Sequence, residues 1–325
     1  MELPTKFRAA LADRYEIECP IADGSMAGIF LAQDLRHRRR VALKVLRPDA
    51  AAALSDVRFV REIKFLAHLQ HPNIQSLHDS GHEEGFLYYV MPYVAGETLR
   101  TRMDRDGRVP MREAMRIACQ LGAALDYAHR HGVIHRDIKP ENILISDTHV
   151  LLTDFGIARA IGIAAGEQLT APLSVGPGTP AYMSPEQLIP GHELDGRSDI
   201  YSLATVVFEM LTGELPFTMA SERGVDMRKI TTPAPRLRAI RPDVPESIDA
   251  AVARALAPMP GDRFGSATEF ANALEATIVA PLDPSGEDAK SKRGLPGTML
   301  RPSVVIGIIV VLAVVAWLVW RMSAT

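Results

Sequence analysis

The sequence predicts an α+β chain in which strands come first, helices follow, and one apolar C-terminal helix is long enough to cross a bilayer. Three observations carry this. Strand-like runs separated by turn residues fill 15–46, apolar residues recur at helical spacing beyond about residue 97, and a charge-free apolar run occupies 304–320 after a polar linker. With 325 residues the chain can bury a sizeable core, and its length suggests about two structural units. A net charge of -3 gives no basis for nucleic-acid binding.

Residues 1–14 read as an N-terminal extension, and MELPTKFRAALADRY lacks the apolar stretch of a secretory signal. Strand, turn, strand, turn, strand then follow as YEIECPI, ADGSMAG, IFLAQDL, RHRRR and VALKVL. The basic run Arg36 to Arg40 reads as a solvated hairpin tip. Lys44 is costly inside an apolar strand unless paired, and the next helical stretch, SDVRFVREIKFLAHL over 55–69, is where a partner is expected. Residues 86–94, FLYYVMPYV, read as a buried strand entering a linker. A helix follows, with Met115, Ala118, Leu121, Leu125 and Ala128 on one face and Gly132 as its stop. Cys19 and Cys119 have apolar neighbours and read as reduced core thiols, and the spacings of His68, His71, His78 and His82 match no zinc pattern.

The chemistry concentrates in His135-Arg136-Asp137-Ile138-Lys139-Pro140-Glu141-Asn142, followed by Ile143-Leu144-Ile145 and then Asp154-Phe155-Gly156. Moving a phosphoryl group from a metal-bound nucleotide to a hydroxyl requires these residue types. Asp137 can orient and accept from the hydroxyl, Lys139 can neutralise the transferred charge, and Asn142 and Asp154 can hold magnesium through oxygen. The ordered HRDIKPEN and DFG runs resemble the catalytic and metal-binding loops of the eukaryotic-like Ser/Thr protein kinases found in bacteria.

That resemblance implies a two-lobed protein kinase fold over 15–279, with a β-rich N-lobe at about 15–91 and a helical C-lobe at about 95–279. It implies ATP with Mg²⁺, or Mn²⁺, as cofactors. The family's glycine-rich phosphate lid corresponds to Ala22, Gly24 and Ala27, with Gly28 beside the last. Lys44, in Val41-Ala42-Leu43-Lys44, is implied to hold the α- and β-phosphates while paired to Glu62. By the same resemblance Met91 lines the back of the adenine pocket, the backbones of Pro92 and Val94 hydrogen-bond the ring, and Ile29, Ala42 and Leu144 sandwich it. Residues 157–178 correspond to an activation loop with Thr170 and Ser174 as phosphate acceptors and Arg136 as the phosphate's partner. Thr179, a weaker third acceptor, is implied to hydrogen-bond Asp137 and Lys139. It lies in GTPAY, which with Lys139 favours Ser/Thr over Tyr substrates. Glu186 is implied to pair structurally with Arg263. Asp199 is implied to cap the catalytic-loop backbone, with a simple helix N-cap as its other reading.

Residues 280–303 are rich in Pro, Gly, Ser and charge and read as a flexible tether. The run over 304–320 spans about 26 Å as a helix, with Trp317 and Trp320 as interface anchors. Lys290, Lys292, Arg293 and Arg301 precede it and Arg321 alone follows. This places the catalytic region in the cytoplasm on a single-pass cell-membrane anchor, with an extracytoplasmic tail at 321–325 and no external sensor domain. The partners expected are proteins with Ser/Thr acceptors, the lipid bilayer, and a second copy of the kinase for trans-autophosphorylation. One alternative is a membrane-tethered pseudokinase acting as a nucleotide-sensing scaffold, favoured by Ala22 and Ala27 in the lid. A small-molecule phosphotransferase is disfavoured by GTPAYMSPEQ.

Overall fold

Alternation along two strands divides the N-terminal region into two apolar layers. On Arg39–Leu46 (β3), Val41, Leu43 and Val45 join one cluster while Ala42 and Leu46 join another. On Phe86–Pro92 (β5), Tyr88 and Val90 go with the first, and Leu87, Tyr89 and Met91 with the second. A period of two sends successive side chains to opposite faces, so Lys44 shares the face of Ala42 and Leu46. The computed structural model describes residues 1–24, 27–48, 67–147, 149–155, 179–189, 191–217 and 228–279. All of these lie in one compact unit, Met1–Ala280.

The five-stranded antiparallel sheet adds Tyr15–Asp23 (β1), Ala27–Asp34 (β2) and Asp79–Glu83 (β4), in the order β1-β2-β3-β5-β4. The basic hairpin tip is exposed as expected, and Asp34 accepts from the backbone of Arg36 and His37. β1 runs two residues beyond YEIECPI and carries register shifts at Ile17/Cys19 and Pro20/Ala22. It is an edge strand, where Pro is tolerated and one face meets water. Cys19 is therefore exposed rather than a core thiol, and Cys119 is only half-buried. The first fourteen residues are more than an appended stretch. Thr5–Leu11 (α1) presses Phe7 and Leu11 onto the outer layer, with the Phe7 ring 5.3 Å from that of Phe86 and 5.9 Å from that of Tyr88.

The helical region contains Leu99–Asp106 (α2), Met111–Arg130 (α3), Gly196–Thr212 (α4), Leu237–Ile240 (α5), Glu246–Ala255 (α6) and Ala267–Val279 (α7). α3 buries the face read from the sequence, Met115, Ala118, Leu121, Leu125 and Ala128 among others, and Gly132 follows it at φ 74°. Glu97–Thr98 (β6), Ile143–Ser146 (β7) and His149–Leu152 (β8) form a small antiparallel sheet at the junction of the two regions. α4 is buried from Ser198 to Thr212. Its N-cap is Asp195, which accepts from the Arg197 N–H at 2.8 Å, so Asp199 lies in the first turn and is not the cap. Among the described residues no helix is long and apolar enough to cross a membrane, and 304–320 lies outside them.

Candidate active site

The site is built on a loop with no regular structure whose backbone is fixed from three sides. From below, Asp199, fully buried on α4, accepts from the N–H groups of His135 and Arg136, each at 2.8 Å. Its Oδ2 also contacts His129 Nε2 at 2.7 Å. Burial acts to raise the Asp199 carboxyl, but His129, His135 and the loop N–H groups outweigh it and hold it below the usual carboxylate range. This local support matters because Arg136 sits at φ 70°, which a side chain adopts only under constraint. From the side, Gln187 donates to the Arg136 carbonyl at 2.8 Å. From above, His135 contacts the Thr153 carbonyl through Nε2 at 2.8 Å and accepts from the Asp137 N–H through Nδ1 at 3.2 Å. The Phe155 ring lies against the imidazole at 4.5 Å.

The loop's functional side chains converge. Asp137 Oδ2 receives Lys139 Nζ at 2.8 Å and Asn142 Nδ2 at 3.0 Å, and Asn142 Nδ2 also donates to the Asp137 carbonyl at 2.8 Å. Asn142 ends a 3₁₀ turn whose first residue is Pro140, directly before β7. Its carbonyl accepts from the Thr153 N–H at 2.9 Å, which joins the loop to the segment bearing Asp154. With Nδ2 committed to Asp137, the amide oxygen of Asn142 faces the other way, available to a hard cation.

Asp154, at φ 63°, stands opposite the sheet. Its Oδ1 receives Lys44 Nζ at 2.5 Å and the Tyr89 hydroxyl at 2.9 Å. Burial pushes the Asp154 carboxyl up, and Lys44 and Tyr89 more than reverse the push, holding it below the usual carboxylate range. One carboxylate just after β8 and one amide oxygen just before β7 make an all-oxygen donor set suited to Mg²⁺ or Mn²⁺.

Lys44 is thus paired, as an apolar strand requires, and its described partner is Asp154. Glu62 lies outside the described residues, as do Thr170 and Ser174. Ala42 and Met91 are buried on the cleft face of the sheet, while Ile29, Pro92, Val94 and Leu144 are half-buried. Gln75 Nε2 donates to the Pro92 carbonyl at 3.1 Å. At the hairpin tip, Gly24 N–H donates to the Ala27 carbonyl at 2.9 Å, and Arg47 bonds both the Gly24 carbonyl and Asp23. Ala22 pairs with Ile29 across β1 and β2.

Below the site, Glu186 and Arg263 form a buried two-pronged ion pair at 2.7 and 2.8 Å. Thr179 opens a 3₁₀ turn, Thr179–Ala181. Three residues that sequence reasoning missed hold this region. Lys229, 1% exposed, donates to the carbonyls of Pro180, Ala181 and Met183 at 2.6–2.8 Å. Tyr182 donates to Glu209 at 2.5 Å, and Arg100 bridges Glu209 and Glu141. Lys229 and Arg100 lie in no short motif, and Tyr182, although it ends GTPAY, gives no local sign of its bond to Glu209, so only tertiary contact reveals these roles.

The Protein kinase domain family matches residues 15–273. The chain is 44% identical over 269 residues to the serine/threonine-protein kinase PknB of Mycolicibacterium smegmatis, covering 80% of this chain and 42% of that protein. It is 37% identical over 275 residues to the serine/threonine-protein kinase PrkC of Bacillus subtilis, covering 84% of this chain and 41% of that one. The chain therefore spans about two fifths of the length of these relatives. The crystal structure of Rad53 1-466 in complex with AMP-PNP is similar in fold, with a TM-score of 0.67 and 25% identity. The match covers 81% of this chain and 65% of that one.

Proposed function

The chain belongs to the protein kinase domain family, and from that premise we propose that it transfers the γ-phosphoryl group of ATP to Ser/Thr hydroxyls of proteins. Its own activation loop is among the substrates, and it acts from the cytoplasmic face of a membrane. The observation that carries the reading is the joined pair of clusters, Asp137 with Lys139 and Asn142, and Asp154 with Lys44, linked through Thr153.

In this reading Asp137 accepts a hydrogen bond from the acceptor hydroxyl and takes up its proton as the oxygen attacks, and Lys139 stabilises charge on the moving phosphoryl group. Lys44, released from Asp154 and held by Glu62, aligns the α- and β-phosphates. Asn142 Oδ1 and Asp154 would hold the divalent ions, which when bound neutralise charge on the nucleotide's phosphates. Met91, Ala42, Ile29 and Leu144 enclose the adenine, and the Pro92 and Val94 backbones read its edge. Gly24, flanked by Ala22 and Ala27, covers the phosphates. The GTPAY segment favours Ser/Thr acceptors, Thr170 and Ser174 are phosphorylated, and Arg136 receives that phosphate. A tether at 280–303 is followed by a membrane helix at 304–320.

The test incubates the full-length chain in detergent with labelled ATP and Mg²⁺ beside Asp137→Asn. Label on Thr170 or Ser174 in the wild type alone is expected. Equal labelling of both proteins, or none with generic protein substrates present, would leave the pseudokinase scaffold as the better account.

A further inference from the structure

We propose that Tyr89 is a positioning residue for the metal-binding carboxylate, fixing Asp154 through Oδ1 so that Oδ2 is presented to the divalent ion. The inference rests on the kinase reading above and deepens it at the metal site.

Tyr89 faces Lys44 directly across the β3–β5 pair, and both point to the cleft side of the sheet. It is 1% exposed. A buried phenol needs a partner, and the hydroxyl finds it in Asp154 Oδ1 at 2.9 Å, across 65 residues of sequence. Lys44 Nζ reaches the same oxygen at 2.5 Å and lies 5.8 Å from the centre of the Tyr89 ring. Both donors thus occupy one oxygen, and no hydrogen bond runs from a described residue to the other.

The two donors differ in permanence. Lys44 is a flexible chain that the proposed reaction calls away to the phosphates. Tyr89 turns on two torsions, and its ring is packed between the sheet and the second apolar layer, so its bond persists when Lys44 departs. The Asp154 backbone is fixed nearby by the bond from Thr153 N–H to Asn142, which leaves the carboxylate's own torsions as the freedom Tyr89 removes. Carboxylates that ligate metals are commonly oriented by such outer hydrogen bonds. An apolar residue at position 89 would fill the space as well, so the hydroxyl is what requires an account.

Mn²⁺ titrated into the full-length chain in detergent, with a non-hydrolysable ATP analogue present, gives the metal affinity from the EPR signal of the free ion. Competition with a fluorescent nucleotide in EDTA gives the metal-free affinity. In Tyr89→Phe the Mn²⁺ Kd is expected to rise about tenfold while the metal-free nucleotide affinity stays within about twofold of wild type. An unchanged Mn²⁺ Kd, or a parallel loss of both affinities, overturns the inference and leaves the kinase reading intact. A wild-type chain that binds neither nucleotide nor Mn²⁺ sinks both. Should Tyr89→Phe fail to fold, Tyr89→Met, which also lacks the hydroxyl, reads the same two affinities.

Discussion

Gly196 lacks a side chain where the His129 ring needs the space. A Cβ at Gly196 would lie 2.5 Å from Nδ1 of His129 and 2.7 Å from Cε1. The ring is held there because its Nε2 meets Asp199, which in turn receives the backbone of His135 and Arg136. Gly196→Ala must push the imidazole off Asp199, and overpacking of this kind costs about 1–3 kcal/mol. We expect a lower Tm and a larger fall in kcat than in ATP affinity. Gly261→Ala, where a Cβ meets nothing within 4 Å, should leave both unchanged. Thermal melts and initial rates decide, and indistinguishable behaviour of the two variants would refute the packing argument. Asp199 was legible because the family resemblance implies an acid there that caps the catalytic-loop backbone. His129 was not, because a histidine in the last turn of a helix already has a local explanation in the helix dipole, and its contact lies 70 residues away.

At the scale of elements, one ion pair ties the turn Pro185–Leu188 to the segment after Pro260–Asp262. Arg263 also donates to the carbonyls of Arg197, Ala257 and Pro258, so four stretches of chain meet on one guanidinium. Burial acts to raise the Glu186 carboxyl, but Arg263 and then Ser198 outweigh it and hold it below its ordinary 4.5. A carboxyl more acidic folded than unfolded contributes its full stability above the unfolded value and loses it as pH falls through the folded one. Glu186→Gln should therefore cost about 3–5 kcal/mol at neutral pH, because it leaves Arg263 buried and unpaired. The gap to wild type should narrow below pH 4.5. Urea melts between neutral pH and pH 3 measure it, and a constant gap would show that the pair is not what titrates. This pair was readable because the family resemblance implies it. Cys19 was misread because apolar sequence neighbours say nothing about which edge of a sheet a strand occupies, and β1 turns that residue to water.

For the whole molecule, the order of strands and helices was readable because periodicity is local. The closure of the N-terminal layer was not, since α1 looked like an appendage until Phe7 and Leu11 met Tyr88 and Val90. The proposed membrane anchor is the reverse case, written in composition alone over 304–320. It carries a kinetic consequence. A chain free in solution meets a second copy at a rate set by bulk concentration. Chains confined to one vesicle meet at an effective concentration set by surface density, which bulk dilution does not change. A tether of the composition of 280–303 gives each catalytic unit a reach of roughly 25–30 Å from its anchor, enough for neighbours at moderate density to exchange activation loops. Diluting vesicles that carry the full chain should then leave the rate of label appearing on Thr170 or Ser174, per protein, unchanged. A fragment ending at Ala280, where the compact unit ends, should slow in proportion to dilution. If the vesicle-bound chain slows as the fragment does, either the anchor does not hold it to the bilayer or one copy does not phosphorylate another. Recovery of the protein with floated vesicles separates those two causes.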